Sequence, residues 1–137
     1  MHAVILAGGK GTRLAPYTYI LPKPMMPIGD KAILEVLLRQ LKRAGINHVT
    51  MAVGYHAGLL QAFFQDGAQF DLDITYSLES KPLGTAGPLA QVPGLDKTFM
   101  VCNSDVLTLL PFNDLIRFHK EQGAICTIAM HERQVHI

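Results

Sequence analysis

The chain has 137 residues, of which 49% are hydrophobic and 17% are charged, and its formal net charge at pH 7 is +1. This length favours one domain with a buried core, and this balance excludes a disordered chain or a small scaffold held together by disulfides. A net charge near zero excludes a general nucleic-acid or membrane surface, so any anion site must be local. No apolar stretch reaches the roughly 18 residues of a membrane helix.

The first predicted element is a strand. Residues 3–7 form a short apolar run that ends in glycines, which is typical of a buried parallel strand. Residues 8–30, which contain four prolines, predict a long ordered loop, and loops of that length are usually functional. Asp30 is then predicted to cap a helix over residues 31–44, which Gly45 ends.

The rest of the chain alternates predicted strands and helices. The helix over residues 57–65 is expected to turn Leu59, Leu60, Phe63 and Phe64 inward. The further strands are predicted at 48–53, 73–78, 98–102 and 124–130, and the further helices from residue 86 and at 112–122. This order predicts an α/β, three-layer Rossmann-like fold, with a mainly parallel sheet and helices on both faces.

The segment that follows the first strand, Gly8-Gly9-Lys10-Gly11-Thr12-Arg13, is rich in glycine. Its free N–H groups are suited to cradle phosphate oxygens, and the Lys10 and Arg13 cations add attraction for an anion. A plain turn is an equally good interpretation of the segment alone. It is neither a dinucleotide fingerprint, because Leu14 stands where the last glycine belongs, nor a P-loop, because no Gly-Lys-Ser/Thr closes it.

Lys23 lies between Pro22 and Pro24. Both prolines stiffen the backbone and are expected to hold Lys23 extended, so that its ammonium loses little freedom when it contacts a phosphate. The alternative is a solvent-exposed lysine in a proline-rich turn.

Together these segments resemble the signature of sugar-1-phosphate nucleotidylyltransferases (NDP-sugar pyrophosphorylases), such as mannose-1-phosphate guanylyltransferase. Residues 6–14, Pro16, residues 22–25 and Pro27 carry the resemblance, which continues through residues 82–87 and 103–105. It implies the nucleotide-diphospho-sugar transferase fold. It also implies that Arg13 and Lys23 stabilise the transferring phosphate. The nucleotide-binding residues that it implies are Leu6, Ala7, Gly8, Gly9, Gly11, Thr12, Glu79, Gly84 and Thr85.

The loop after the third predicted strand is expected to cover the base. The resemblance implies that Gly84 lies close to the ring and that Glu79 reads it, although an ordinary loop with Thr85 as a helix cap is the alternative. An ionised carboxylate only accepts hydrogen bonds, and guanine presents two adjacent donors, so we favour GTP. A thymidylyl or uridylyl donor, with Glu79 merely at the surface, is the rival.

Asp105 lies just past the strand predicted at 98–102, after Asn103 and Ser104. It is either a cap of the next turn or, as the resemblance implies, one of two aspartates that hold Mg²⁺, a cation that binds through one or two carboxylates, waters and phosphates. The second ligand is not evident, since Asp114 lies in a predicted helix and Glu132 lies near the chain end. Cys102 and Cys126 are interpreted as buried reduced thiols in a cytoplasmic protein, not as metal ligands.

The resemblance implies that NTP and sugar 1-phosphate form NDP-sugar and pyrophosphate. The net charge of +1 predicts no nucleic-acid or membrane partner. Residues 1–137 are interpreted as the N-terminal, nucleotide-binding part, with the sugar-phosphate-binding part missing. We therefore expect this piece alone to be inactive and the full-length protein to be able to form a homo-oligomer. A non-catalytic regulatory homologue and a generic Rossmann-like binding domain are the alternatives.

Overall fold

A computed structural model describes residues 1–9, 11–81 and 83–132 of the chain. The chain divides into two compact units, residues 1–107 and residues 108–137. The strands are β1 (His2–Ala7), β2 (Pro27–Ile28), β3 (Lys31–Ala32), β4 (His48–Val53), β5 (Asp73–Leu78) and β6 (Phe99–Asn103). The α-helices are α1 (Ile33–Arg43), α2 (Ala57–Phe64) and, in the second unit, α3 (Phe112–Gln122). None of the helices in the described ranges combines the length and apolar character needed to cross a bilayer.

The first unit is built on a four-stranded parallel sheet in the order β5-β4-β1-β6. Successive residues of a strand point to opposite faces, and Ala3, Val4 and Ile5 of β1 are all fully buried. The same holds along most of β4. Both faces of the central strands are therefore covered, as in parallel sheets generally, and the predicted α/β fold is confirmed.

Helix α1 begins two residues later than predicted, and Asp30 does not cap it. Lys31 and Ala32 pair with β2 in a small antiparallel hairpin, so the helix begins at Ile33. The Asp30 carboxylate accepts a hydrogen bond from Lys31 Nζ at 2.9 Å. The predicted end is confirmed, because Gly45 adopts a left-handed φ of 79° directly after the last turn. The helix buries one apolar stripe, formed by Leu34, Leu37, Leu38 and Leu41.

The inward face of α2 is narrower than predicted. Leu60 and Phe64 are fully buried, whereas Leu59 and Phe63 each keep 43% of their surface exposed. Residues four apart lie on the same face of a helix, so each pair forms its own row. The prediction that both rows pack inward is wrong, because only the row of Leu60 and Phe64 reaches the core.

Within the loop predicted over residues 8–30, the described residues 11–30 contain three short 3₁₀ turns besides strand β2. These turns span Thr12–Leu14, Tyr17–Tyr19 and Lys23–Met25. Thr18 and Pro24 are buried and anchor the loop. A 3₁₀ helix over Gly87–Gln91 takes the place of the short helix predicted from residue 86.

The second unit confirms one prediction and overturns another. Helix α3 spans the predicted residues, and Gly123 ends it with a left-handed φ of 58°. The strand predicted at 124–130 is absent from the described residues, since this segment forms no ladder with a neighbour. An apolar run becomes a strand only when another strand satisfies its backbone groups. Ile125, Ile128 and Cys126 are accordingly exposed, which contradicts the buried thiol predicted at Cys126.

Candidate active site

The strand order places a crevice at the carboxyl ends of β1 and β6. From β1 the chain proceeds outward through β4 and β5, and it then returns to pair β6 with the other side of β1. Such a reversal of strand order is where open α/β sheets bind their ligands. The Ser104 N–H donates to the Leu6 carbonyl at 3.1 Å, which joins the segment after β6 to the end of β1.

A cleft of about 740 Å³ occupies this position, and the loops after β1, β4, β5 and β6 line it. Most residues that the sequence analysis selected lie on its wall. They are Leu6, Ala7, Gly8, Gly9, Gly11, Arg13, Lys23, Glu79, Gly84, Thr85 and Asp105. Thr12 is not on the wall; it opens the exposed 3₁₀ turn that carries Arg13. Lys10 lies outside the described residues.

Close contacts between glycines and their neighbours bring three of these loops together. A Cβ built on Gly8 would overlap the carboxylate of Glu79 and lie 3.0 Å from its carboxyl carbon. A Cβ built on Gly54 would lie 3.2 Å from the Gly8 carbonyl oxygen, tighter than normal packing. Glycine at positions 8 and 54 therefore lets the loops after β1, β4 and β5 pack directly on one another.

Lys23 is positioned by a turn, and the predicted extended conformation is wrong. Lys23 opens the 3₁₀ turn Lys23–Met25, in which the Met25 N–H donates to the Pro22 carbonyl at 2.8 Å and the Met26 N–H to the Lys23 carbonyl at 3.1 Å. These two hydrogen bonds and the burial of Pro24 outweigh the usual preference of a residue before proline. The backbone at Lys23 is still fixed, as expected, but by a different geometry.

The Lys23 ammonium forms an ion pair with the Asp105 carboxylate, and both side chains line the cleft. The pair joins the loop after β1 to the loop after β6. Arg13 lines the same cleft from an exposed 3₁₀ turn. Arg13, Lys23 and Asp105 are therefore brought to one cavity, although they are distant in the sequence.

Glu79 stands at the end of β5, where its N–H donates to the Val53 carbonyl at 2.8 Å. Its side chain is half-buried beside Gly8, and its Oε2 lies 3.4 Å from the Leu83 backbone nitrogen, at the long end of hydrogen bonding. Gly84 follows with a left-handed φ of 74°. Within the loop after β5, Leu83 thus lies against the Glu79 carboxylate, and both residues line the cleft.

Several residues of the cleft wall were not among the predicted site residues, including Tyr55, Lys81 and Asn103. Tyr55 directly follows Gly54, at the end of β4, and Asn103 is the last residue of β6. Both could have been selected by the rule that ligands bind beyond the carboxyl ends of parallel strands. Lys81 lies in the loop just beyond β5 and meets the same rule.

Asp105 is an isolated carboxylate with respect to metal binding. Within the described ranges, no three His, Cys, Asp or Glu side chains cluster in a way that could hold an ion. The Asp114 carboxylate, in the second unit, accepts a hydrogen bond from Arg117 at 2.8 Å. One carboxylate suffices for Mg²⁺ only when waters and substrate phosphates supply the other ligands. The residues present fit a metal that arrives together with a nucleotide.

Comparison with known proteins shows the family of the chain. Residues 2–136 match the nucleotidyl transferase family. The chain belongs to the nucleotidyl transferase family. Gly8, Gly9, Gly11, Lys23 and Asp105 all fall within the matched range and line one cleft.

Relatives of the chain differ in the substrates for which they are named. The chain is 39% identical to a UTP–glucose-1-phosphate uridylyltransferase of Synechocystis sp., over 93% of the chain and 36% of the relative. It is 41% identical to a mannose-1-phosphate guanyltransferase of Schizosaccharomyces pombe, over 95% of the chain and 37% of the relative. The chain therefore spans little more than a third of the length of these relatives.

A solved structure has the same fold. The protein of Bacillus anthracis described as a glucose-1-phosphate thymidylyltransferase, in complex with sucrose, superposes with a TM-score of 0.81 at 26% identity. The match covers 89% of this chain and 51% of that one.

Proposed function

We propose that the protein is a sugar-1-phosphate nucleotidylyltransferase that forms NDP-sugar and pyrophosphate from NTP and a sugar 1-phosphate. One observation carries the proposal. Two cations from the loop after β1 and a carboxylate from the loop after β6 line a single cleft at the point where the strand order reverses. Membership of the nucleotidyl transferase family supports the reaction class.

The reaction is a displacement at the α-phosphorus of the NTP. An oxygen of the sugar phosphate forms the new P–O bond, the bond to the β-phosphate breaks, and pyrophosphate leaves with its electron pair. The attacking oxygen is already anionic at neutral pH, so no general base has to remove a proton. The protein must align two anions and offset their repulsion, which is a matter of positioning and electrostatics.

The cleft offers groups suited to that task. Gly8, Gly9 and Gly11 let the backbone approach the phosphates closely, so that peptide N–H groups can donate to them. The guanidinium of Arg13 can bind phosphate oxygens in a bidentate manner, and the ammonium of Lys23 acts as a point charge. The ion pair with Asp105 holds the Lys23 ammonium at the cleft.

Asp105 would hold Mg²⁺ through one carboxylate, and the metal would neutralise charge on the nucleotide phosphates. Asp105 has two carboxylate oxygens, and the ion pair with Lys23 engages Oδ2. Metal binding at this residue therefore competes with, or shares, the contact that now holds Lys23.

GTP is the nucleotide that we favour, with mannose 1-phosphate or a related hexose or heptose phosphate as the acceptor. Glu79, on the wall of the cleft, offers acceptors for the two donors of guanine. The fission-yeast relative named for mannose-1-phosphate guanylyl transfer supports this choice. Glucose 1-phosphate with a uridylyl or thymidylyl donor is the second candidate, favoured by the Synechocystis relative.

The decisive experiment is a matrix of nucleotides against sugar phosphates on the intact protein, with pyrophosphate release as the readout. GTP, UTP and TTP are each paired with mannose 1-phosphate and glucose 1-phosphate, with and without Mg²⁺. We expect Mg²⁺-dependent release that is greatest with GTP. If the folded protein releases no pyrophosphate with any pair of substrates, this proposal is wrong and the non-catalytic, regulatory alternative takes its place.

A further inference from the structure

The left-handed turn at Gly11 is held by a threonine seven residues further along. Gly11 has φ 63° and ψ 29°, and its carbonyl accepts the Leu14 N–H at 2.9 Å. The same oxygen accepts the hydroxyl of Thr18, also at 2.9 Å. Thr18 is 1% exposed, so this hydroxyl donates from within the protein and not from its surface. Both acceptor directions of the Gly11 carbonyl are thereby occupied.

The methyl group of Thr18 packs on the same glycine. A Cβ built on Gly11 would lie 2.9 Å from Thr18 Cγ2 and 3.7 Å from Lys23 Cβ. Gly11 is therefore enclosed between Thr18 and the residue that carries the cleft ammonium. A displacement of Thr18 would be transmitted to Gly11, to the turn that bears Arg13, and to the packing of Lys23.

Thr18 is in turn held by the loop after β4. Its carbonyl oxygen lies 3.2 Å from Nε2 of His56, which donates in the tautomer that carries the proton on that nitrogen. His56 has a left-handed φ of 64°, which is uncommon for a residue with a side chain, and it immediately precedes α2. The contacts of Thr18 thus connect Gly11 to a second loop of the cleft.

We infer that Thr18 is a positioning residue that orients the glycine-rich loop for the nucleotide phosphates. The inference rests on the proposed function. The N–H and C=O of a trans peptide point in opposite directions. The Gly11 carbonyl and the Thr12 N–H belong to one peptide group, so by holding the carbonyl Thr18 also fixes the direction of this N–H. The carbonyl oxygen would repel a phosphate, and its hydrogen bond to Thr18 keeps it engaged within the protein.

The test compares Thr18→Val, which removes the hydroxyl at nearly constant shape, with Thr18→Ser, which keeps the hydroxyl and removes the methyl. Two quantities are measured on the intact protein: the hydrogen-exchange rate of the Leu14 amide, and the Kd of Mg·GTP by calorimetry. We expect Thr18→Val to accelerate exchange and to weaken binding about threefold to tenfold, the effect of one lost hydrogen bond. Thr18→Ser should remain close to wild type in both.

The outcomes separate this inference from the proposed function. Wild-type exchange and Kd in Thr18→Val would overturn the positioning role, as would equal losses in both variants, because the hydroxyl would then not be the cause. A purely structural defect would lower the binding stoichiometry and leave Kd unchanged, which also contradicts the role. If the wild-type protein binds neither GTP, UTP nor TTP, the proposed function fails at that step and the inference falls with it.

Discussion

Lys23 and Asp105 form an ion pair although they lie 82 positions apart in the chain. Each belongs to a loop at the carboxyl edge of the sheet, and β1 and β6, the strands before those loops, are neighbours. The pair is therefore a consequence of the sheet topology, because adjacent parallel strands bring the loops that follow them together. The side chains remain 36% and 30% exposed, so solvent screens the attraction.

Replacing Lys23 with alanine should affect catalysis far more than folding. Removal of one preorganised charge in a phosphoryl-transfer site lowers turnover by about 10²–10³. The screened ion pair should contribute less than about 1 kcal/mol to the free energy of unfolding. Steady-state kinetics and urea denaturation measure the two effects, with Lys31→Ala, whose ammonium pairs with exposed Asp30, as the control. Wild-type turnover in Lys23→Ala would refute the role.

Glu79→Gln should weaken the use of GTP more than the use of TTP or UTP. An amide presents one acceptor and one donor, so it matches guanine less well than a carboxylate and matches a pyrimidine better. The ratio of kcat/KM for GTP to that for TTP is the relevant measurement. Glu121→Gln makes the same chemical change on the exposed surface of α3 and serves as the control. An unchanged ratio in Glu79→Gln would end the guanine hypothesis.

Gly8→Ala should alter base preference in the same direction as Glu79→Gln. The added methyl group would overlap the Glu79 carboxylate, which is the movable end of a flexible side chain and can be displaced at little cost in stability. Gly9→Ala is the matched control, since its Cβ would meet nothing within 4 Å. Thermal unfolding and the GTP-to-TTP ratio are measured for both. A large loss of stability without a change in preference in Gly8→Ala would contradict this account.

Leu60→Ala and Leu59→Ala test which face of α2 supports the core. Leu60 is fully buried, and truncation of such a leucine costs about 2–5 kcal/mol of unfolding free energy. Leu59 is 43% exposed, so the same truncation should cost about 1 kcal/mol or less. The two variants are compared by urea denaturation. Equal losses would mean that both rows of the helix pack inward.

His2 should make the protein less stable in acid. Burial, followed by the charges of His48 and the chain's amino terminus, lowers the pKa of His2 below 6.5 in the folded state. The His2 Nε2 lies 2.8 Å from Thr50 Oγ1, and the His2 and His48 rings are 4.3 Å apart. Below pH 6.5 the unfolded chain then binds more protons than the folded one, so the free energy of unfolding falls as the pH is lowered towards the folded-state pKa.

The test of this pH dependence is urea denaturation between pH 8 and pH 5. His2→Gln should lose less stability over this range than the wild type, because the proton linkage is removed. His131→Gln, a change at an exposed histidine, should follow the wild-type curve. Parallel curves for His2→Gln and the wild type would show that another group governs the acid response.

Local sequence patterns were sufficient to predict most of the strands and helices. The strands at residues 48–53 and 73–78 and the helix over 112–122 were predicted with the bounds that the structure has. Hydrophobic periodicity determines these elements because burial of one face is a local property of the sequence. The glycine-rich segment and Asp105 were selected from residue types at the ends of apolar runs, and Lys23 was selected from its position between two prolines.

Other features depended on partners that are distant in the chain. The segment at 124–130 is apolar yet remains unpaired, and Lys23 forms a 3₁₀ turn where its neighbouring proline favours an extended backbone. The Thr18 contact with Gly11, the Glu79 contact with Gly8 and the ion pair at Lys23 could not be read from spacing. The sequence by itself determined most of the strands and helices and the candidate binding loops. Only the tertiary structure decided which loops meet, because strand order, and not the order of residues in the chain, sets the neighbours at a sheet edge.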